Sequence, residues 1–300
     1  MVKDGNGKDV EGLEQGPFEP IAIIGVSALM PDAPDIDTFW QNILDAKVSI
    51  RTIPENRWIG PIDHFYREGG PGNIEEGFTY ARIGAVVEGY EFDWRRWKQP
   101  PGTLKQIDLA QQWAVSVAAS AIEQAGYDGE TKDIDRLRTG VAFANALGGE
   151  NRNLSNIRIY SNHTKELAKS QGMPEENSAA FIDSIVEGAP RVNEDTMPGE
   201  LANVVAGRVS NLLDLQGPNF AMDAACASSL ATLMDACRLL QMRQVDVMIA
   251  GATDRSMDAP TFAKFSAIGA LSATHSTPFD AGANGFVMGE GAGAFVLKRL

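Results

Sequence analysis

Phe220-Ala221-Met222-Asp223-Ala224-Ala225-Cys226-Ala227-Ser228-Ser229-Leu230 is the stretch on which the fold turns. An apolar run that reads as a buried strand passes into small residues, a thiol follows, and a long helical pattern opens behind it. Leu230, Leu233, Met234, Cys237 and Leu240 carry that pattern on. It is apolar almost all round, which predicts a helix buried on most sides. This order places Cys226 at a strand-to-helix turn, where unpaired N–H groups and the positive end of the helix dipole favour a thiolate. A buried cysteine acting as a small hydrophobe is the plain alternative, and Cys237, inside the apolar helix, fits it. Ser228 and Ser229 are the other candidate nucleophiles, with N-terminal capping as their ordinary explanation.

Outward from this stretch, strands and helices alternate. Ile21-Ala22-Ile23-Ile24-Gly25 reads as a buried strand ending in a glycine turn. Asp35 and Asp37 are N-cap candidates for a helix through Phe39, Trp40, Ile43 and Leu44. Residues Ile107 to Tyr127 form a helix with a stripe at Leu109, Trp113, Val117, Ala121 and Ile122, stopped by Gly126. Thr139 to Ala146 is a strand, Ser161 to Ser170 and Ser178 to Glu187 are short helices, and Pro198 to Leu215 is a longer one. Val245 to Ala250 reads as a strand, Ala259 to Ile268 as a helix, and Ala292 to Leu297 as a last strand. The alternation predicts an α/β fold with a largely parallel, twice-covered sheet. Between Thr52 and Pro101 lies a long excursion whose Phe65, Tyr66, Phe78, Tyr80, Phe92, Trp94 and Trp97 require burial. Its Arg51-Thr52-Ile53-Pro54-Glu55-Asn56-Arg57-Trp58 run reads as a packed surface corner.

Composition narrows the function. With 300 residues, 44% of them hydrophobic, the chain can bury a substantial core. Residues 1–19, with four glycines and few large apolar side chains, read as a flexible leader to a domain over 20–300. The longest apolar run, Ile21 to Met30, is too short for a membrane span, and no charged segment of a signal peptide precedes it. A net charge of −14 argues against nucleic acid and against free acidic partners. A partner tethered on the same polypeptide escapes the repulsion through effective concentration. The two cysteines make neither a disulfide framework nor a metal set, so a cytoplasmic setting is expected.

A helix N-terminus is worth about 0.3–1 kcal/mol, against about 1.36 kcal/mol per pKa unit, so such a turn alone leaves a thiol mostly protonated at neutral pH. A working nucleophile needs a nearby base, most economically histidine. The chain holds only His64, His163 and His275, each in a polar, loop-like or insertion context that reads as surface. Gly289-Glu290-Gly291-Ala292-Gly293 lacks the Lys-Ser/Thr of a nucleotide loop and leads into a strand. Glycines permitting close backbone approach under a site explain it better.

With these residues in hand, the chain resembles the β-ketoacyl synthase family, in its type I, polyketide-synthase-like branch. Asp223 to Leu230 is similar to that family's D-T-A-C-S-S-S-L motif, and Glu19-Pro20-Ile21-Ala22-Ile23-Ile24-Gly25 to its opening. The Phe39-Trp40 pair and Ile53 to Trp58 match the family's next segments. Pro278-Phe279-Asp280 and Gly285 to Gly293 resemble its P-F-D and G-F-x-x-G-E-G-A-G stretches. Ile107 to Trp113 departs from the common D-P-Q-Q-R, and Ala227 replaces the usual serine after the cysteine. Both variations are similar to iterative branches such as polyunsaturated-fatty-acid or enediyne-type synthases.

The resemblance implies a thiolase-like fold, layered α-β-α-β-α in the full enzyme, of which this chain is the N-terminal half with insertions. It implies that Cys226 accepts an acyl group and that a malonyl-type carrier thioester then condenses with it. Substrates ride on the phosphopantetheine of an acyl carrier protein, expected in cis, or on coenzyme A, with no bound cofactor and no metal. A homodimer is implied for the full enzyme. The family's two catalytic histidines lie in motifs downstream of the glycine run, so this chain alone is expected to be acylated but not to condense. An isolated half is also expected to show a large apolar patch and to associate. Two other readings remain open here: a non-catalytic ketosynthase-like scaffold, and a cysteine-dependent acyl hydrolase.

Overall fold

The computed structural model describes residues 19–127, 133–174 and 186–300, with residues 179, 182 and 183 between the last two segments. The expected leader, Glu19 apart, and half of the expected helix from Ser178 to Glu187 lie outside the described residues. In chain order the strands are β1 (Ile21–Leu29), β2 (Arg51–Thr52), β3 (Ile83–Gly84), β4 (Thr139–Ala144), β5 (Asn219–Met222), β6 (Val247–Asp254) and β7 (Gly291–Arg299). The helices are α1 (Ile36–Leu44), α2 (Pro101–Leu104), α3 (Leu109–Gln124), α4 (Asn151–Ser170), α5 (Thr196–Glu200), α6 (Val204–Leu212), α7 (Ser228–Gln241) and α8 (Ala259–Ala267).

The main sheet runs β1-β7-β6-β4-β5. Its β4 strand is parallel to both β5 and β6, whereas β7 is antiparallel to both β1 and β6. The expectation of a largely parallel sheet is therefore corrected: the sheet is mixed. A parallel return after β6 would need a helical crossover lying on the sheet. The intervening helix α8 instead buries Phe262 away from the sheet, in a cluster with Ile53, Trp58, Ile62, Tyr80 and Met257. The chain then comes back along β6 in the opposite direction.

Helices cover both faces of the sheet, which explains why β4 is buried along its whole length. Helices α3 and α6 pack Trp113, Val117, Ala121, Val205 and Val209 against Val141, Phe143, Ile249 and Val296. On the other face α7 sets Ala236 and Leu240 against Ala142, Met248, Ala250 and Leu297. The contact between α3 and β1 is close: a Cβ at Gly25 would stand 2.2 Å from the Ala121 carbonyl oxygen.

Several local expectations are corrected. Helix α7 buries only Ser228, Thr232, Ala236 and Leu240, one stripe at four-residue spacing, and leaves Leu230 71% exposed. Its outer face meets no packing element among the described residues. Asp35 does cap α1, accepting from the Thr38 N–H at 2.7 Å, but that helix's Trp40, Ile43 and Leu44 are exposed. The helix expected from Pro198 to Leu215 is broken, with Leu201 extended between α5 and α6. There Gln111 donates to the carbonyls of Pro198 and Leu201 at 3.0 and 3.2 Å, taking acceptors a continuous helix would use internally. The expected short helix from Ser161 is the second half of the 20-residue α4. In the excursion, Tyr80 and Phe92 are buried but Trp94 is exposed, its ring covered instead by the Arg95 guanidinium at 4.6 Å. No helix among the described residues is long and apolar enough to cross a membrane.

Candidate active site

Strand β5 ends at Met222 and α7 begins at Ser228, and the single 3-10 turn Ala225–Ala227 between them carries Cys226 at its centre. The side chain is exposed. Ala225 sits at φ +50°, a left-handed conformation that costs an alanine about 1–3 kcal/mol. Asp223 helps hold it, its Oδ1 accepting the Ala225 N–H at 2.9 Å. The strained residue swings the chain from the strand into the helix and leaves the thiol at the helix N-terminus.

Cys226 opens on a cavity of about 680 Å³ between α1, α7 and the ends of the strands. Its lining is mostly apolar, with Ile36, Phe39, Leu230, Leu233 and Phe295 among the larger side chains. The glycine run contributes Gly289, Gly291 and Gly293 to the wall. A Cβ at Gly291 would meet the Leu29 carbonyl oxygen at 2.8 Å, so the close backbone approach read from the sequence is present. Among the described residues no lysine, arginine or histidine lines the cavity; His64, His163 and His275 are all exposed elsewhere on the surface. The side-chain charges on the wall, among the same residues, are Asp254 and Glu290.

The structure therefore places Cys226 and the glycine run together, and keeps all three histidines apart from them. Cys237 is half-buried on the sheet side of α7, and burial pushes its thiol above the ordinary value. Of the two serines, Ser228 is buried and Ser229 is exposed on the cavity.

Sequence reasoning missed the network behind the wall. Arg57, read as part of a surface corner, is nearly buried and donates to both carboxylate oxygens of Glu150 at 2.5 Å and to Glu290 at 2.6 Å. Burial works against its charge, yet Glu150 and Glu290 hold the guanidinium above its ordinary value. Burial likewise pushes the Glu290 carboxyl up, with Arg57 pulling it down. Arg255 pairs with Glu150 at 2.7 Å. Behind them Asp108, fully buried, accepts the backbone N–H groups of Ala110, Glu150 and Asn151 at 2.7–2.8 Å, joining the start of α3 to the start of α4. Burial raises its carboxyl, against the pull of Arg255 and these N–H donors. The one available signal was an arginine directly before Trp58, in a turn whose Glu55 and Asn56 are exposed.

Comparison with known proteins decides the family. The family model described as beta-ketoacyl synthase, N-terminal domain, matches residues 18–300. The chain belongs to the β-ketoacyl synthase family. This ketosynthase chain is 30% identical over 286 residues to a phenolphthiocerol/phthiocerol polyketide synthase of Mycobacterium tuberculosis, covering 94% of its own length and 16% of the relative's. It is 27% identical over 282 residues to a polyunsaturated fatty acid synthase of a Thraustochytrium species, covering 93% of itself and 10% of that protein. Among solved structures, the oxazolomycin ketosynthase domain OzmH KS7 of Streptomyces albus matches with a TM-score of 0.74 and 25% identity, over 94% of this chain and 42% of that one. The PfaC keto synthase-chain length factor shares the fold, with a TM-score of 0.76 at 24% identity, over 94% of this chain and 29% of that one. The fold is thus thiolase-like, and this ketosynthase chain spans less than half of those solved chains.

Proposed function

We propose that this chain is the nucleophile-bearing part of a ketosynthase and that Cys226 is its acyl acceptor. The supporting observation is the exposed thiol on a left-handed elbow, at a helix N-terminus, facing an apolar cavity. In the transfer the Cys226 sulfur attacks the carbonyl carbon of an acyl thioester. A new carbon–sulfur bond forms, the donor's carbon–sulfur bond breaks, and the Cys226 proton passes to the departing thiol. That thiol belongs to the phosphopantetheine arm of an acyl carrier protein or to coenzyme A. The Cys226 N–H is one donor to the oxyanion of the tetrahedral intermediate.

In the full condensation a malonyl-type carrier thioester loses carbon dioxide, and its carbanion attacks the acyl-Cys226 carbonyl. The Cys226 thiolate leaves and takes up a proton, and the carrier keeps a β-ketoacyl chain two carbons longer. Among the described residues the cavity holds no imidazole, so this step takes its histidines from outside them. A carrier domain on the same polypeptide is compatible with the −14 charge. The working enzyme on this reading is a cytoplasmic homodimer with no bound cofactor.

Incubation with an acyl N-acetylcysteamine thioester, followed by mass spectrometry, tests the reading. One acyl group is expected on Cys226, lost in Cys226→Ser and kept in Cys237→Ser; labelling at Cys237 instead overturns the assignment. With a malonyl carrier the 300-residue chain alone is expected to yield no β-ketoacyl product. Formation of one would place the condensing groups within these residues.

A further inference from the structure

We infer that Ser228 is a positioning residue for acyl transfer, and that its hydroxyl orients the peptide whose N–H faces the oxyanion. The inference rests on the acyl-acceptor reading of Cys226.

Capping is the ordinary role of a serine at a helix start, with the hydroxyl accepting an N–H further along the helix. Ser228 does something else. Its Oγ reaches backwards, accepting the Ala224 N–H at 2.8 Å and donating to the Ala225 carbonyl oxygen at 2.5 Å. The side chain is buried, so neither contact competes with bulk water.

The consequence falls on the next peptide. The Ala225 carbonyl oxygen also takes the Ser228 backbone N–H, so two donors hold it toward the helix. In a planar trans peptide the C=O and the following N–H point in opposite directions, and no cis bond occurs here. The Cys226 N–H therefore points away from the helix body, on the side where Ala225 and Cys226 line the cavity. Its neighbours are all engaged: Ala224 with Ser228 Oγ, Ala225 with Asp223 Oδ1, Ala227 with the Ala224 carbonyl at 3.1 Å. Among the N–H groups of residues 224–227, that of Cys226 alone has no acceptor among the described residues. It is a pre-aimed donor, and the Ser228 hydroxyl fixes its aim on an elbow that Ala225 holds in a left-handed conformation.

Two reactions at the same sulfur separate positioning from mere support of the fold. Transfer from an acyl thioester passes through a tetrahedral oxyanion; alkylation by iodoacetamide displaces iodide at a saturated carbon and develops none. Ser228→Ala is expected to slow acylation of Cys226 by about tenfold or more, within the range seen when an oxyanion donor is lost. Iodoacetamide alkylation of Cys226 is expected to keep the wild-type rate and pH profile. Ser228→Thr, which retains the hydroxyl, is expected to acylate like the wild type. A parallel fall of both rates in Ser228→Ala overturns the inference, as does acylation at the wild-type rate. Should Ser228→Ala not fold, a Ser228→Thr chain that alkylates normally but acylates slowly overturns it equally. A wild-type chain that alkylates yet takes no acyl group defeats the acyl-acceptor reading, and this inference with it.

Discussion

Arg57 and Glu290, 233 residues apart in the chain, meet as a buried ion pair at 2.6 Å. Glu290 belongs to the glycine run that walls the Cys226 cavity, and its other oxygen accepts the Val87 N–H at 2.9 Å. Arg57 comes from the cluster around Trp58 and Phe262. The pair thus ties the excursion at 52–101 to the wall of the site, while the second arm of the guanidinium holds Glu150 at the start of α4.

Removing Arg57 leaves two buried carboxylates close together, with Arg255 on Glu150 as the remaining counter-charge and none bonded to Glu290. Arg57→Ala is expected to lose about 3–5 kcal/mol at neutral pH, read from urea unfolding. The sign of the pH dependence follows from Glu290. Burial already raises its folded pKa, and losing Arg57 raises it further. Such a group contributes stability below its unfolded pKa, near 4.3, and loses it as pH rises through the folded value. The deficit of Arg57→Ala therefore widens with rising pH above about 4. A deficit that narrows as pH rises would show that the pair is not what holds these carboxylates.

Asp246 titrates in the opposite sense. Arg138 and Arg299 both bond its carboxylate and hold it down to about 2. A carboxyl with a depressed folded pKa contributes stability above its unfolded value, near 3.9, and loses it as pH falls toward 2. Asp246→Asn is expected to be less stable than the wild type at pH 6, and the two melting curves are expected to converge by about pH 2. The site is partly exposed, so the difference at pH 6 shrinks in 1 M salt. A difference that persists unchanged at pH 2 would assign it to packing instead.

The setting of Cys226 was legible because every signal for it is local: an apolar run, small residues, then helical spacing from Ser228 onward. The role of Arg57 was not, since burial of that charge is decided by Glu150 and Glu290, far along the chain. The direction of β7 was hidden for a related reason. The sequence of Ala292 to Leu297 marks a strand, but only the placement of α8 in the second cluster makes it antiparallel to β6. The break at Leu201 depends on Gln111, a polar residue on a helix whose apolar stripe was otherwise read correctly. Local pattern sets the elements here, and distant polar partners set how they join.

The outer face of α7 is where the apolar pattern overstated burial. Leu230 and Met234 are 71% and 48% exposed, and Trp40, Ile43 and Leu44 of α1 are exposed as well. Exposed apolar surface on this scale favours association. Light scattering is expected to show the 300-residue chain as oligomers or aggregates. Leu230→Gln with Met234→Gln is expected to reduce both association and dye binding, while unfolding stability moves by no more than about 0.5 kcal/mol. A wild-type chain that runs as a clean monomer would mean that these side chains do not drive contacts.

The seat of α3 on β1 makes a sharper test of packing. A Cβ at Gly25 would stand 2.2 Å from the Ala121 carbonyl oxygen and 2.9 Å from the Ala125 Cβ. Neither is the end of a flexible side chain, so the helix itself must lift. Overpacking of this kind costs about 1–3 kcal/mol or more. Gly102, in α2, has nothing within 4 Å of the same added atom. There an alanine is expected to stabilise by about 0.5–1 kcal/mol through helix propensity and a less flexible unfolded chain. Gly25→Ala and Gly102→Ala are thus expected to shift the urea midpoint in opposite directions. The first also displaces α3, whose Trp113 packs in the core beneath the cavity strands, so its loss of stability is expected to come with slower alkylation of Cys226. Equal small shifts from both alanines would mean that α3 sits further from β1 than the 2.2 Å approach requires.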